Sequence, residues 1–340
     1  MMKKIDLKCK IITPLFMGGA EQQPELRTQS FNGLFRYWFR LLGGSFENEK
    51  RLFGWGGEKA NKGIVSINLK EENNKQEFQL QQQGQGYNYL GFSLRLTNRR
   101  GINASSSFEI SFIFHPTSTE DDIKKFLCAV WCAFYLGNFG SRSRRGFGSI
   151  IVENINGDIL HDFNLKFICN QNIGNWLKSQ LEYIKSLNYW QARRDIPYIF
   201  ENLEIYKFNR HQSNYIQLLN SIGEEYKNFR QKLRRNEWEK RIWFGLPIMP
   251  QGVFPILDHE ERGRRASLLI FKIIKFNNNY EGFVLFFKPN ERHDFKFLPD
   301  RAKIKFDKKE IFVDANWWQI LDKFINDYLK NKNLITKVYP

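Results

Sequence analysis

One stretch of this chain, Gly137-Asn138-Phe139-Gly140-Ser141-Arg142-Ser143-Arg144-Arg145-Gly146-Phe147-Gly148, sets three guanidinium groups and two hydroxyls among four glycines, with no acid to balance them. Guanidinium groups held this close repel one another, so an anion is their natural occupant. Glycine lets backbone N–H groups approach that anion closely. The guanidinium fork also matches phosphate oxygens. The chemistry on offer is electrostatic capture of a phosphate chain. The bland alternative is a basic surface loop with no partner.

Other segments extend the same chemistry. Gly18-Gly19 lies in a loop that ends at Arg27. Arg36 and Arg40 stand four apart on a predicted helix, with Tyr37 and Trp38 beside them. Such a face can track phosphates, while Phe, Tyr and Arg planes accept stacked bases; Phe147 is a candidate of that kind. For Arg36 and Arg40, internal ion pairs or a solvated face are equally open readings. Arg264 and Arg265 precede a strand-forming run, and Glu260 and Glu261 stand close enough to neutralise some of that charge. The basic residues between 227 and 241, mixed with Glu237 and Glu239, read as a solvated helix.

No catalytic or metal-binding constellation accompanies these residues. Cys128 and Cys132 are one helical turn apart but sit among apolar neighbours, which reads as core packing. His161-Asp162 and His293-Asp294 lack further ligands at helical spacing. Gly54-Trp55-Gly56-Gly57 has no following Gly-Lys-Ser/Thr, so no nucleotide cradle is expected. The reading is therefore of a protein without catalytic residues, metal or cofactor.

Composition narrows the partners. Lys and Arg number 52 against 36 Asp and Glu, a formal charge of +16, which speaks of polyanionic partners rather than of fold. No run approaches the roughly 20 apolar residues of a membrane span, leaving nucleic acid as the expected polyanion. Asp6, Lys8 and Lys10 interrupt any apolar secretory signal, and the four cysteines form no disulfide framework. A reducing cytoplasm is the expected compartment.

The elements that must position these loops follow from periodicity. Ile5, Leu7, Cys9 and Ile11 alternate as a strand. Phe31, Leu34, Phe35, Trp38 and Leu41 predict a helix capped by Ser30 and stopped at Gly43-Gly44. Strands are expected over 63–69, 89–96 and 108–114, with the Gln/Asn-rich stretch 71–86 an exposed insertion. Thr119 and Asp122 resemble a capping box opening a helix through Phe134, and a strand over 149–152 follows the arginine loop. This half reads as β-α-β-β-α-β, the order of a ferredoxin-like domain. Further on, strands are expected over 163–167 and 199–206, and helices over 172–187 and 211–235. A hairpin pairs 268–276 with 283–287 across Asn277-Asn278-Asn279, and a last helix follows Asp314. The expected division is 1–158 and 159–340.

The same residues carry a family resemblance. Thr13-Pro14-Leu15-Phe16-Met17-Gly18-Gly19-Ala20, Pro24-Glu25-Leu26-Arg27 and Ser30-Phe31-Asn32-Gly33-Leu34-Phe35-Arg36-Tyr37-Trp38-Phe39-Arg40 resemble the opening of RAMP-superfamily proteins. Within that superfamily the likeness is to the head-end, first-numbered subunits of the type III-B CRISPR effector, the Cmr complex. Gly140 to Gly148 resembles the family's glycine-rich loop, and Phe244-Gly245-Leu246-Pro247-Ile248 and Arg264-Arg265-Ala266-Ser267 resemble second-half signatures. Thr28-Gln29 and Leu268 stand where the family pattern has proline.

The resemblance implies an α+β fold of two tandem ferredoxin-like, RRM-like domains with insertions. It also implies a non-catalytic role in antiviral defence, holding the tag-distal 3′ part of a guide RNA, or its target RNA, beside other Cmr subunits. The residues it points to are Gly18, Gly19, Arg27, Arg36, Arg40, Arg142, Arg144, Arg145, Phe147, Arg264 and Arg265. Two alternatives stand beside this reading. One is a metal-independent RAMP endoribonuclease that processes guide precursors, although neither glycine-rich segment contains a histidine. The other is a purely structural assembly subunit.

Overall fold

Alternation puts Ile5, Leu7, Cys9 and Ile11 on one buried face of the first strand, and the rest of the fold builds on that face. The structure, a computed structural model, describes residues 3–19, 23–57, 60–71, 76–157, 163–193, 196–233, 237–245, 254–256, 266–289, 303–306, 309–312 and 315–340. Its first half runs β1 (Lys3–Ile11), α1 (Thr28–Leu41), α2 (Phe46–Phe53), β2 (Val65–Glu71), β3 (Glu77–Gln79), α3 (Gln85–Leu90), α4 (Phe92–Leu96), β4 (Arg100–Ile102), β5 (Ser107–Phe114), α5 (Glu120–Tyr135) and β6 (Ile150–Asn156).

Four of these strands form an antiparallel sheet in the order β2-β5-β1-β6. Helices α1 and α5 pack against each other, and Phe35 meets both Phe112 of the sheet and Phe126 of α5 edge-on. The Thr119–Asp122 capping box is formed, so two otherwise orphaned N–H groups are satisfied reciprocally. Helix α1 starts at Thr28 with Arg27 at its N-cap position, three residues before the expected start. Ser30 lies inside its first turn.

The second half runs α6 (Ile173–Ser186), α7 (Ile199–Asn202), β7 (Leu203–Gln212), α8 (Tyr215–Lys232), a 3₁₀ turn at Trp238–Phe244, β8 (Phe254–Ile256), β9 (Leu269–Phe276), β10 (Asn279–Phe287), β11 (Lys303–Phe306), β12 (Lys309–Phe312), α9 (Gln319–Lys323) and β13 (Ile335–Tyr339). Its main sheet has the order β13-β7-β10-β9, again antiparallel. Taking β7, β9, β10 and β13 as strands one to four, this is the same order as in the first half. Helix α8 follows the first strand, and α9, continued by a π-helical segment Phe324–Lys330, precedes the fourth. The fold is thus α+β, two ferredoxin-like units in tandem. Strands β8, β11 and β12 form a separate small sheet.

Several local expectations are corrected. Residues 89–96 form the end of α3 and α4 rather than a strand, because α3 docks on α8 and α4 follows directly from it, so the run joins no ladder. Within 71–86, Glu77–Gln79 pairs with Arg100–Ile102 and Leu80 is buried, so the stretch is not uniformly exposed. Phe163, Leu165 and Phe167 are buried without a strand. Side chains satisfy that backbone instead: Gln180 accepts from the Lys166 N–H, Tyr183 from the Asn164 N–H, and Trp131 donates to the Lys166 carbonyl. Residues 199–202 are helical before β7 begins. The last helical stretch changes pitch twice, from 3₁₀ (Ala315–Trp318) to α to π; Asp314 lies outside the described residues.

The halves meet edge to edge. Strand β6 borders the first sheet and β9 the second, and Ser149, just before β6, accepts from the Ile273 N–H of β9 at 3.3 Å through its hydroxyl. The arginine loop, which leads into β6, is therefore delivered to the seam between the two units.

Candidate nucleic-acid interface

The arginine loop begins where α5 ends and is stitched to the segment before Gly18-Gly19. The Ser141 N–H donates to the Phe16 carbonyl at 2.8 Å, and the Gly148 N–H to the Pro14 carbonyl at 2.9 Å. The Thr13 hydroxyl donates to the Gly146 carbonyl at 2.7 Å and accepts from the Ser149 N–H at 2.9 Å. Gly140, Gly146 and Gly148 hold φ values of 74°, 83° and 75°, a region that glycine enters without steric cost. Arg142 also sits there, at φ 60°, where a non-glycine residue is strained. The two glycine-containing segments singled out from the sequence are therefore neighbours.

On its other side the loop clasps the second half. Arg145 forms a parallel bridge with Phe271, and the Phe271 N–H donates to the Arg144 carbonyl at 3.3 Å. Asn138 ties loop and seam together: its amide nitrogen donates to the Phe271 carbonyl at 2.8 Å and to that of Ser143, and its oxygen accepts from the Ser149 hydroxyl at 2.6 Å. Asn138 carried no signal in the sequence beyond lying between two glycines.

The three loop arginines reach neutral partners. Arg142 donates to the Ser93 hydroxyl at 2.8 Å. Arg144 donates to the Ser267 carbonyl at 2.6 Å and to the Tyr37 hydroxyl at 2.8 Å. Arg145 donates to the Phe244 carbonyl and lies over the Tyr226 ring, 4.7 Å from its centre. None of the three meets a carboxylate among the described residues. Burial, reinforced by the charges of Arg145 and Arg230, pushes the Arg142 pKa down to about 10. Burial lowers that of Arg145 as well, helped by Arg230 and Arg144. Among the described residues, then, all three cations meet neutral partners.

The remaining candidates fall in different places. Gly18 is bridged to Pro24, and its carbonyl accepts from Arg27, whose Nε lies 3.1 Å from Glu25. Gly19 and Arg27 are partly exposed beside that loop. Arg36 and Arg40 converge on Glu49 of α2 at 2.9 and 2.6 Å. Glu49 is 1% exposed. Of the readings open for these two arginines the structure has the internal ion pair, not a basic face free for phosphates, because α2 folds back over α1 with this carboxylate in reach of both. Burial pushes the Glu49 pKa up, but the hydrogen bonds and charges of Arg40 and Arg36 outweigh it and hold the carboxyl below its ordinary value. Phe147 is fully buried, edge-on to Phe16 and Tyr87 at 5.8 and 5.4 Å, so its ring supports the loop from below rather than facing solvent. Arg264 and Arg265 lie outside the described residues.

Helix α4 adds what sequence reading missed. Ser93, the partner of Arg142, shares it with exposed Arg95 and Leu96, and Arg99 follows. Neither Arg95 nor Arg99 has an ion pair among the described residues. Among those residues no group of three His, Cys, Asp or Glu side chains gathers, and no helix is long and apolar enough to cross a membrane.

Similarity to known proteins follows the same residues. A sequence model of the RAMP superfamily matches residues 8–151. The CRISPR system Cmr subunit Cmr1-1 of Pyrococcus furiosus is 25% identical over 345 residues, covering 94% of this chain and 93% of its own. Cmr1-2 of the same organism is 30% identical over 175 residues, 42% of this chain and 91% of its own. In fold, the apo crystal structure of Pyrococcus furiosus Cmr1 matches with a TM-score of 0.65 at 21% identity, over 99% of this chain and 98% of that one. A chain in the cryo-EM structure of the type III-B Cmr-beta complex bound to cognate target RNA matches with a TM-score of 0.56 at 14% identity, over 96% and 99%. With its glycine-rich loops, tandem ferredoxin-like units and near full-length relatives in agreement, the chain belongs to the RAMP superfamily and, within it, to the Cmr1 family of CRISPR subunits.

Proposed function

We propose that this chain is a non-catalytic RNA-holding subunit of a type III-B Cmr effector, working with other Cmr subunits in antiviral defence. It contacts the sugar-phosphate chain of the guide RNA in its tag-distal 3′ part, or of the target paired with it. One observation carries the reading. The Gly18-Gly19 segment and the arginine loop lie side by side, and among the described residues no carboxylate neutralises Arg142, Arg144 or Arg145. Base pairing between guide and target supplies sequence, so phosphate contacts alone suffice for the protein.

Two relatives are named as Cmr subunits, and one structural neighbour comes from a complex bound to target RNA; both facts favour this setting. Within the site, Gly18, Gly19, Arg27, Arg142, Arg144 and Arg145 are all partly exposed, and exposed Arg95 extends them. Arg36 and Arg40 support the fold through Glu49.

The test is a salt series of RNA binding for Arg27→Gln and Arg142→Gln, separately and together. Each lost phosphate contact should flatten the log–log salt slope by about 0.7 on a single strand or 0.9 on a duplex. A second reading draws on the seam contacts of Arg144 and Arg145: a purely structural subunit whose arginines only join the halves. It predicts that the wild-type chain ignores RNA at physiological salt while the arginine variants melt earlier.

A further inference from the structure

Arg230 stands on α8, one helical turn beyond Tyr226, in a run whose mixed charges suggested a solvated face. The structure turns it inward. Its guanidinium carbon lies 5.3 Å from the Tyr226 ring centre, 5.6 Å from that of Phe244 and 5.7 Å from that of Tyr89. Arg145 occupies the same Tyr226 ring at 4.7 Å. Arg230 Nε is buried with no hydrogen-bond partner among the described residues, an arrangement native proteins rarely leave unfilled.

The acids of α8 do not relieve it. Glu225 accepts from Lys332 and the Tyr328 hydroxyl, and Glu224 accepts from Asn220. Arg142, Arg145 and Arg230 therefore repel one another across a partly exposed, aromatic-walled corner. Arg142 and Arg145 come from the first half and Arg230 from the second. Rings bordering the guanidinium groups favour cations there, yet they do not cancel three like charges. An anion with several oxygens would.

We propose that Arg230 completes an anion receptor with Arg142 and Arg145, and that the receptor seats one phosphodiester of the bound RNA strand at the seam between the two ferredoxin-like units. This presupposes the RNA-holding role above and adds to it a residue from the second half. RNA binding then grips both halves at once. The Arg230 Nε–H, which has no acceptor among the described residues, gains one from the strand.

The experiment uses the full chain and a labelled single-stranded RNA, comparing wild type with Arg230→Met and Arg230→Lys across a salt series. Melting temperatures are taken without RNA. Arg230→Met should bind more weakly with a salt slope flatter by about 0.7, while Arg230→Lys keeps the slope. Without RNA, Arg230→Met should melt no earlier than wild type, since one of three repelling charges is gone. If wild type binds RNA and Arg230→Met binds with unchanged affinity and slope, the receptor is overturned and the RNA-holding role survives. If wild type ignores RNA, that role falls and the receptor with it. Should Arg230→Met not fold, Arg230→Gln carries the same comparison.

Discussion

Lys272 of β9 reaches across the seam and donates to the Phe134 carbonyl, at the end of helix α5, from 2.6 Å. It also donates to the Gly137 carbonyl at 2.7 Å. A fully buried lysine from the second unit thus satisfies carbonyls that a helix C-terminus leaves unpaired. Its N–H groups also face the negative end of the helix dipole. The loop that carries the arginines starts at those carbonyls, so Lys272 sets where it begins.

Lys272→Met should destabilise the protein in a pH-dependent way. Burial pushes the Lys272 pKa well below its ordinary 10.5. Between the folded and unfolded values the unfolded chain binds more protons, so this group makes stability rise with pH. Neutral amine and ammonium both offer the two N–H groups used here, so the contacts survive deprotonation. Losing them costs about 1–3 kcal/mol for each carbonyl left without a donor. The stability gap between wild type and Lys272→Met should widen as pH climbs towards 10.5, as read by chemical denaturation. A gap that stays flat with pH would refute the proton-linked cost.

Gly223→Ala tests the second clasp between the halves. Helix α3 lies against α8 so closely that a Cβ on Gly223 would meet the Gly86 Cα at 2.8 Å and run into its carbonyl. Asn220 Oδ1 accepts from the N–H groups of Gly86 and Tyr87 at 3.0 and 3.1 Å, fixing that approach. On a free helix the exchange of Gly for Ala gains about 1 kcal/mol. Here overpacking should reverse the sign, to a loss of about 1–3 kcal/mol. A melting temperature equal to or above wild type would contradict the close contact.

These relationships also show how far the residues alone could be read. The β9–β10 hairpin and the capped helix α5 were legible because alternation, turn residues and capping chemistry are local and agree with one another. The adjacency of the Gly18-Gly19 segment and the arginine loop rests on hydrogen bonds between residues more than a hundred positions apart, Ser141 to Phe16 and Gly148 to Pro14. What stayed hidden depends on distant partners. Nothing near residues 89–96 announces that Gly86 will press on Gly223, so a β-prone aromatic run was read as a strand. Glu49 neutralises Arg36 and Arg40 only because α2 folds back over α1. Arg230 looked like one more charge in a solvated helix until Tyr89, Tyr226 and Phe244 closed around it. Its spacing of four from Tyr226 was the one available hint.

Glu49→Gln separates fold from RNA contact at the first helix. With Glu49 held below its ordinary value by Arg40 and Arg36, the folded protein binds fewer protons there than the unfolded chain. The group therefore contributes stability above its unfolded value, near 4.5, and that contribution fades as pH falls through the folded value. Glu49→Gln should lose about 2 kcal/mol at neutral pH, less than for a fully buried pair because Arg36 and Arg40 keep 23% and 45% of their side chains in water. The difference from wild type should close below pH 4.5. RNA affinity and its salt slope should not change, since both arginines remain where the fold needs them. A gain in affinity with a steeper slope would show instead that Glu49 competes with RNA phosphates for Arg36 and Arg40, returning that helix face to the RNA path.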